Sequence, residues 1–287
     1  MNAINDLFQN IAEFRQMVPG ISANLEFSEL NSSAISARKQ IRNIITSELW
    51  NIIKAESDTD ARLYLANAFG NLIMHKAFIF DVIANRVSGQ ADVYKHELET
   101  MRRQYIDNYF NAMDSLIQEL SENVSYSAKW KATSDFQLID ELKIKTTTEF
   151  NSYYGIDMSY LFFFRTISLQ REILLDGISD TFEKATGRED LIKKLKLALS
   201  HLVVALALSR FDIIELPATI RSLFDEQKAS RSGSDEQNRI LKLASELRGN
   251  AMNIIAAVEL ALSEPDTSDI VSQTSLNRPE DKIYLIS

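Results

Sequence analysis

The chain has 287 residues, of which 45% are hydrophobic and 25% are charged, a composition typical of a globular protein with a packed core. It contains no cysteine, which excludes disulfide bonds, thiolate nucleophiles and thiolate metal ligands. The formal net charge of −9 at pH 7 argues against a sequence-independent grip on phosphate backbones, and no sequence-specific binding of DNA is predicted.

The chain carries no predicted secretory signal and no predicted membrane span. Its amino-terminal stretch, MNAINDLFQNIAEF, lacks the basic segment and the continuous apolar segment of a signal. The most apolar stretch, LALSHLVVALALSRFDII, is interrupted by Ser200, His201, Ser209 and Arg210, which favours a buried helix over a membrane span. We therefore expect no membrane partner and synthesis in the cytoplasm.

The predicted fold class is mainly α. Only eight glycines and four prolines interrupt the chain, which favours long helices. Apolar residues recur at helical spacing in three stretches of each half. The stretches are IRNIITSELWNIIKA, LYLANAFGNLIMHKAFIFDVIANRV, YIDNYFNAMDSLIQEL, FRTISLQREILLDGISDTF, LIKKLKLALSHLVVALALSRF and NRILKLASELRGNAMNIIAAVELAL.

Short matches recur in the same order in both halves of the chain. They pair Glu13-Phe14 with Glu149-Phe150, Gly20-Ile21 with Gly155-Ile156, Arg38 with Arg171, residues 80–83 with 211–214, 108–111 with 250–253, and 120–122 with 262–264. This order predicts an internal duplication, with similar helical-bundle repeats at 1–121 and 137–263 joined by a linker at 122–136. The alternative is two unrelated bundles that resemble each other because amphipathic helices share one period.

The spacing of these matches predicts an insert in the second repeat. Residues 81 and 212 are 131 positions apart, whereas residues 108 and 250 are 142 positions apart, so 11 residues have been added between them. The apolar alternation around Pro217 and the polar tip through Gly233 predict a small β-hairpin or extended loop at about 214–233. Its apolar residues, predicted to bind a partner, are Leu216, Ile220, Leu223 and Phe224.

The carboxy-terminal residues 264–287 are predicted to form an extended tail. Asp266 to Asp281 is polar and lacks helical periodicity, and it precedes the apolar, β-favouring residues Ile283, Tyr284, Leu285 and Ile286. These four residues are predicted to dock either on their own subunit or on a neighbour by strand addition. The length of the spacer favours a neighbour.

No residue pattern predicts catalysis or metal binding. His75, His96 and His201 each stand alone on a predicted helix, which favours surface or core histidines over ligands. Asp81 and Asp212 occupy matched positions and are predicted to cap equivalent helices rather than to form an acid pair. The basic residues, Arg102, Arg103, Lys193, Lys194 and Lys196, have acidic neighbours and are predicted to lie on solvated helix faces.

The run TTEFNSYYGIDMSYLFFFRTISLQREILLDGI and the tail ending DKIYLIS resemble a family encoded by phages and prophages of gut anaerobes. The resemblance extends over nearly the whole chain. It implies a structural protein of the virion, from the region where the head meets the tail, that is assembled in the host cytoplasm.

The predicted function is therefore a non-enzymatic head–tail connector or adaptor subunit that forms a ring next to the portal. Its predicted partners are other copies of the chain and virion proteins such as the portal or tail proteins, with DNA only as passing cargo. No cofactor and no metal are predicted. The alternative is a soluble helical binding or regulatory module without catalytic activity.

Overall fold

A computed structural model describes residues 2–21, 25–87, 95–225 and 233–263. Within these ranges the chain is mainly helical and contains no β-strand, which confirms the mainly α class. None of the described helices combines the length and the apolar character that a membrane-spanning helix needs. Buried hydrophobic residues form two clusters, a first core drawn mostly from residues 3–130 and a second core from residues 139–258.

The first half begins with a 3-10 turn and continues with four helices. The elements are the turn Ala3–Asp6, α1 (Ile11–Met17), α2 (Phe27–Ala55), α3 (Asp60–Val87) and α4 (Lys95–Glu122). Helix α2 packs on α3, and α3 runs along α4. The buried residues of α2 recur every three or four positions, as at Leu30, Ala34 and Ala37, so one face of this helix enters the core.

The predicted linker at 122–136 is helical and packed. It contains α5 (Val124–Lys131) and α6 (Ser134–Gln137), and α5 contacts both α2 and α4. Trp130 and Tyr126 of α5 are buried in the first core. Helix α5, which directly follows the last helix of the first unit, therefore covers part of that unit's core.

The second half follows a similar order with four additional short elements. It consists of a 3-10 turn (Leu138–Glu141), α7 (Thr147–Tyr153), α8 (Tyr160–Ile173), a π-helical turn (Leu174–Ile178), α9 (Ser179–Lys184), α10 (Glu189–Arg210), a 3-10 turn (Ile213–Glu215), α11 (Ala218–Asp225) and α12 (Gly233–Ser263). Helix α8 packs on α10, and α10 runs along α12, as α2, α3 and α4 pack in the first half.

The short helices α1 and α7 are built in the same way. Each has seven residues and begins with reciprocal capping, in which the Asn10 or Thr146 side chain accepts the N–H three residues later. The carboxylate of that later residue, Glu13 or Glu149, accepts a backbone N–H from the residue before the cap. In both helices the next residue is a fully buried phenylalanine, Phe14 or Phe150. The two short helices therefore begin with the same local contacts.

Two further features recur at matched positions. The first 3-10 turn of each half ends in an acidic residue that pairs with an arginine on the following long helix. Asp6 pairs with Arg38 at 2.8 Å, and Glu141 pairs with Arg171 at 2.9 Å. Both long helices are interrupted by one residue with positive φ, Thr46 at 72° in α2 and Gly177 at 113° between α8 and α9. The matched arginines thus make matched contacts.

Other matched residues occupy different environments. Helix α3 continues to Val87, whereas α10 ends at Arg210, so residues 80–83 lie within a helix and residues 211–214 follow one. The Asn108 side chain donates a hydrogen bond to the fully buried Asn71. Its match, Asn250, is exposed on α12. The similarity of the halves is therefore strongest in their first elements.

The β-hairpin predicted at 214–233 is not supported. Its described part, up to residue 225, forms the end of a 3-10 turn and then α11. The apolar residues at 216, 220, 223 and 224 follow a helical period of three to four, which the alternation near Pro217 obscures. The Pro217 carbonyl accepts the Arg221 N–H and closes the first helical turn. Residues 226–232 lie outside the described part of the chain.

The two halves are joined at the start of α8. The Asp114 carboxylate of α4 accepts the Leu161 N–H at 2.7 Å and the Ser159 hydroxyl at 3.0 Å. Leu161 belongs to the first core, although it lies on the first long helix of the second half. Phe164 packs against both cores and lies 4.8 Å from the Trp130 ring. The second half is therefore attached by both packing and helix capping.

The Asp6 carboxylate gives the first half a defined pH dependence. Burial acts to raise its pKa, but hydrogen bonds from Arg38 and Lys54 outweigh burial and hold the pKa below 3.8. Because the folded-state pKa is lowered, this stabilisation is present above about pH 4 and is lost as the pH falls through the folded-state pKa. We expect Asp6→Asn to lower the free energy of unfolding at pH 7 by about 1–3 kcal/mol.

Denaturant unfolding between pH 2 and pH 7 measures this difference, which should shrink below about pH 4. Asp140→Asn serves as the control because Asp140 is exposed in the matching turn of the second half. Its effect should stay within about 0.5 kcal/mol. A constant difference between the wild type and Asp6→Asn at every pH would contradict the assignment.

Candidate functional site

A π-helical turn bends the first long helix of the second half. Leu174–Ile178 separates α8 from α9, and Gly177 within it has a φ of 113°, a conformation that residues with a side chain rarely adopt. The Ser179 hydroxyl donates a hydrogen bond to the Leu174 carbonyl at 2.8 Å, which satisfies one backbone group freed by the bend. Single π turns inside α-helices often lie at functional sites.

A groove lies between this turn, α10 and α12. Its volume is about 610 Å³, which is within the range of about 300–1,000 Å³ of sites that bind small ligands. Six apolar side chains line it: Ile173, Ile178, Leu202, Leu206, Met252 and Ile255. Met252 is 56% exposed, so the apolar lining extends to the surface of α12.

Charged residues surround the apolar lining of the groove. Glu172 accepts a bidentate hydrogen bond from Arg210 at 2.5 and 2.7 Å, and this bond lowers the pKa of the carboxyl group. Glu259 of α12 accepts a bond from the Thr181 hydroxyl at 3.4 Å. These contacts fix the carboxylates at the two walls of the groove.

Asp176 and Arg248 complete the charged lining. The groove therefore presents three carboxylates and one guanidinium around an apolar floor. No cluster of three or more His, Asp or Glu side chains suited to a metal ion occurs among the described residues. This arrangement is suited to binding an apolar segment that carries charge.

The predicted partner-binding residues of the insert are placed differently from expectation. Leu216 and Ile220 are buried in the second core, at 3% and 0% exposure, so the chain itself covers them. The side chains of Leu223 and Phe224 lie outside the described part of the structure, although both residues belong to α11. Their binding to a partner stays a prediction.

The segment around these residues contacts both halves. Arg221 of α11 pairs with Asp107 of α4 at 2.5 Å, and the Thr219 N–H donates to Asp157 at 2.7 Å. Glu215 pairs with Arg165 at 2.9 Å, and the Arg165 guanidinium lies over the Phe211 ring. The segment therefore contacts the first half through Arg221 and its own half through Thr219 and Glu215.

The predicted tail residues Ile283, Tyr284, Leu285 and Ile286 lie outside the described ranges. The groove lies beside the helix from which this tail extends, because Met252, Ile255 and Glu259 all belong to α12. The docking of the tail stays a prediction.

The histidines are placed as single residues in helices. His201 packs edge-on against the Tyr154 ring, and burial lowers its pKa. Burial likewise lowers the pKa of His75, whose Nδ1 lies 3.2 Å from the Arg102 carbonyl oxygen. The side chain of His96 lies outside the described part of the structure.

The basic residues do not form one continuous patch. Lys196 pairs with Glu149 at 2.6 Å, whereas Lys193 and Lys194 are exposed on α10 and Arg102 is exposed on α4. Asp212 is exposed after α10, and the side chain of its match, Asp81, lies outside the described part. These observations fit solvated faces better than a path for DNA.

The groove itself was not predicted from the sequence. Its local signal is Leu175-Asp176-Gly177, an exposed leucine and a glycine within an otherwise continuous helical pattern. The remaining lining residues come from three helices far apart in the chain, and no local pattern brings them together. No model of a protein family, no curated protein and no solved structure matches the chain.

The bend at Gly177 is directly testable. A Cβ added there would meet no atom within 4 Å, so the effect of Gly177→Ala reports only the backbone conformation. We expect this substitution to lower the free energy of unfolding by about 1–3 kcal/mol. Gly249→Ala is the matched control, because Gly249 lies inside α12 and its added Cβ also meets nothing within 4 Å.

The control substitution should raise the free energy of unfolding by about 0.5–1 kcal/mol, since alanine favours a helix interior. Denaturant unfolding of the two variants measures both effects. Effects of the same sign would contradict the left-handed conformation of Gly177.

Proposed function

We propose that this chain is a non-enzymatic structural protein of a virion. In this proposal it is a head–tail connector or adaptor subunit, built from a duplicated helical unit, that assembles in a ring next to the portal. Its partners are other copies of itself and the portal or tail proteins, and DNA is only passing cargo. The resemblance of residues 147–178 and of the tail to phage-encoded proteins supports the virion, and the architecture supports the assembly.

The duplication is supported by contacts that recur in both halves. Each half has a 3-10 turn whose acidic residue pairs with an arginine on the long helix. Each has a short helix with the same capping and the same buried phenylalanine. Each long helix is interrupted, and each packs on the first of two helices that run along each other. Unrelated bundles would share helical periodicity without sharing these contacts.

An exposed, uncharged stripe on α12 is the observation that carries the assembly proposal. The stripe consists of Leu241, Ser245, Gly249, Met252, Ala256 and Leu260. These residues follow a helical spacing of three or four, so they share one face. Leu241, Met252 and Leu260 are more than half exposed, at 54%, 56% and 63%. Exposed apolar patches of this kind favour protein contacts.

The same face of the matching helix α4 already binds a helical unit. At the spacing of 142 positions, Gly249 and Ala256 correspond to Asp107 and Asp114. Asp107 pairs with Arg221, and Asp114 caps α8, so α4 uses this face to hold the second half. By equivalence, the face of α12 would hold the first half of the next copy.

Such a contact is heterologous, because different faces of the two copies meet. Repeated contacts of this type close into a ring when the rotation per subunit allows closure, and otherwise form a filament. In a chain of two similar units, the face of α4 contacts the second unit of the same chain. The matching face of α12 is then available to a neighbouring copy. This property supports a ring subunit more directly than a monomeric regulator.

The alternative is a soluble helical binding or regulatory module. The groove beside the π turn supports it, because an apolar floor with a charged rim can bind a peptide without any assembly. In this reading the purified chain stays a monomer or dimer at all concentrations. The oligomeric state therefore separates the two functions.

Mass photometry and negative-stain electron microscopy of the full chain, alone and after co-expression with the neighbouring virion proteins, test the proposal. We expect one discrete high oligomer of ring shape. Ala256→Arg should reduce the ring fraction by at least about tenfold, because a charged side chain would have to be desolvated in the contact.

Ala257→Arg is the matched control, since Ala257 is an exposed alanine of the same helix outside the stripe. This variant should keep the ring. Monomers under every condition would overturn the assembly function. Equal effects of the two arginine substitutions would show that the stripe is not the contact between copies.

A further inference from the structure

The first half covers its own last helix with the segment that follows it. Helix α5 starts two residues after α4 ends and packs on both α4 and α2. It buries Tyr126 and Trp130, the Tyr126 hydroxyl donates to Glu56 at the end of α2, and Lys129 pairs with Glu48 at 2.5 Å. An aromatic and basic segment therefore closes the first unit.

In the second half, the matching elements form the walls of the groove. Helices α8 and α9 correspond to α2, and α12 corresponds to α4, so the groove lies between the same two elements that α5 bridges. The segment that follows α12 in the sequence is 264–287. The positions directly equivalent to α5 contain Ile270 and Val271 as their only apolar residues.

The longest apolar run outside the described ranges is 283–286. It contains Tyr284 and follows Lys282, so it combines the aromatic and basic character that α5 supplies in the first half. The preceding residues, Glu280 and Asp281, make the segment carry both signs of charge, as the groove does. Asp176 and Glu259 suit Lys282, and Arg248 suits the acidic pair.

The position of the groove favours the same chain over a neighbour. Glu259 is four residues from the end of α12, about 6 Å along the helix axis, and Met252 is about 16 Å from it. The 18 residues 264–281 extend at most about 60 Å, so they reach the groove with excess length. Attachment at this distance gives an effective concentration in the millimolar range, above that of any free copy in dilute solution.

We propose that residues 282–286 dock in the groove of their own chain, between the π turn and α12, and close the second unit as α5 closes the first. From the sequence alone, the long spacer favours docking of the tail on a neighbour. The groove lies beside the end of α12, so the same spacer also reaches this nearer site on its own chain. This inference rests on the duplication within the proposed function, and it does not require the ring.

Disulfide trapping tests the docking in the full chain, because the protein contains no cysteine of its own. The test variant is Met252→Cys with Leu285→Cys, and the control is Ala257→Cys with Leu285→Cys. Both positions on α12 are exposed, and residue 257 is nearer the end of the helix but does not line the groove. A tail that does not dock would therefore reach residue 257 at least as fast.

We expect the intramolecular disulfide to form at least about tenfold faster with residue 252 than with residue 257 at micromolar protein. Adding Ile283→Ser and Ile286→Ser should remove this preference while circular dichroism stays unchanged. Equal rates at the two positions would overturn the docking, and a disulfide-linked dimer would assign the groove to a neighbour's tail and overturn docking in the same chain. Particle size measured for the wild type and for Leu285→Cys alone separates this result from the ring, because both keep Met252 of the stripe, and a ring without the disulfide preference contradicts only the docking.

Discussion

The carboxylate of Asp114 holds the two halves of this protein in one arrangement. It belongs to the last helix of the first unit, and it accepts the Leu161 N–H and the Ser159 hydroxyl at the start of α8. Burial raises its pKa, while the two hydrogen bonds act in the opposite direction. Leu161 and Phe164, one turn apart, then pack against the first core. The position of every later element of the second unit depends on how this helix begins.

The two units differ in which of their surfaces are covered. In the first unit, α5 covers one surface, and the second unit covers another surface at Asp107 and Asp114. The matching surfaces of the second unit are an open groove and an exposed stripe on α12, which meet at Met252. In the proposed duplication, the second unit leaves open the two surfaces that are filled in the first unit, and a tail and a neighbouring copy are the occupants that we propose.

The sequence predicted the helical class and paired Glu13-Phe14 with Glu149-Phe150 because both patterns depend on local signals. Capping residues and a buried phenylalanine lie within five positions of each other, as in Asn10 to Phe14. The hairpin at 214–233 was wrong because alternation around Pro217 resembles a strand over a few residues, whereas the spacing from Leu216 to Ile220 is helical. The groove could not be predicted, since residues 172–181, 202–206 and 248–259 meet only through tertiary packing. The burial of Leu216 and Ile220 was missed for the same reason, because it depends on the second core.

Hydrogen exchange of the full chain, followed by mass spectrometry under native conditions, tests most directly the claim that the halves form one body joined at Asp114. In the Asp114→Ala variant we expect the protection of α3 and of α10 to fall by the same factor, about tenfold or more, because losing a buried acceptor of two hydrogen bonds destabilises both cores together. A loss of protection confined to α8 and α10, with α3 unchanged, would contradict the account.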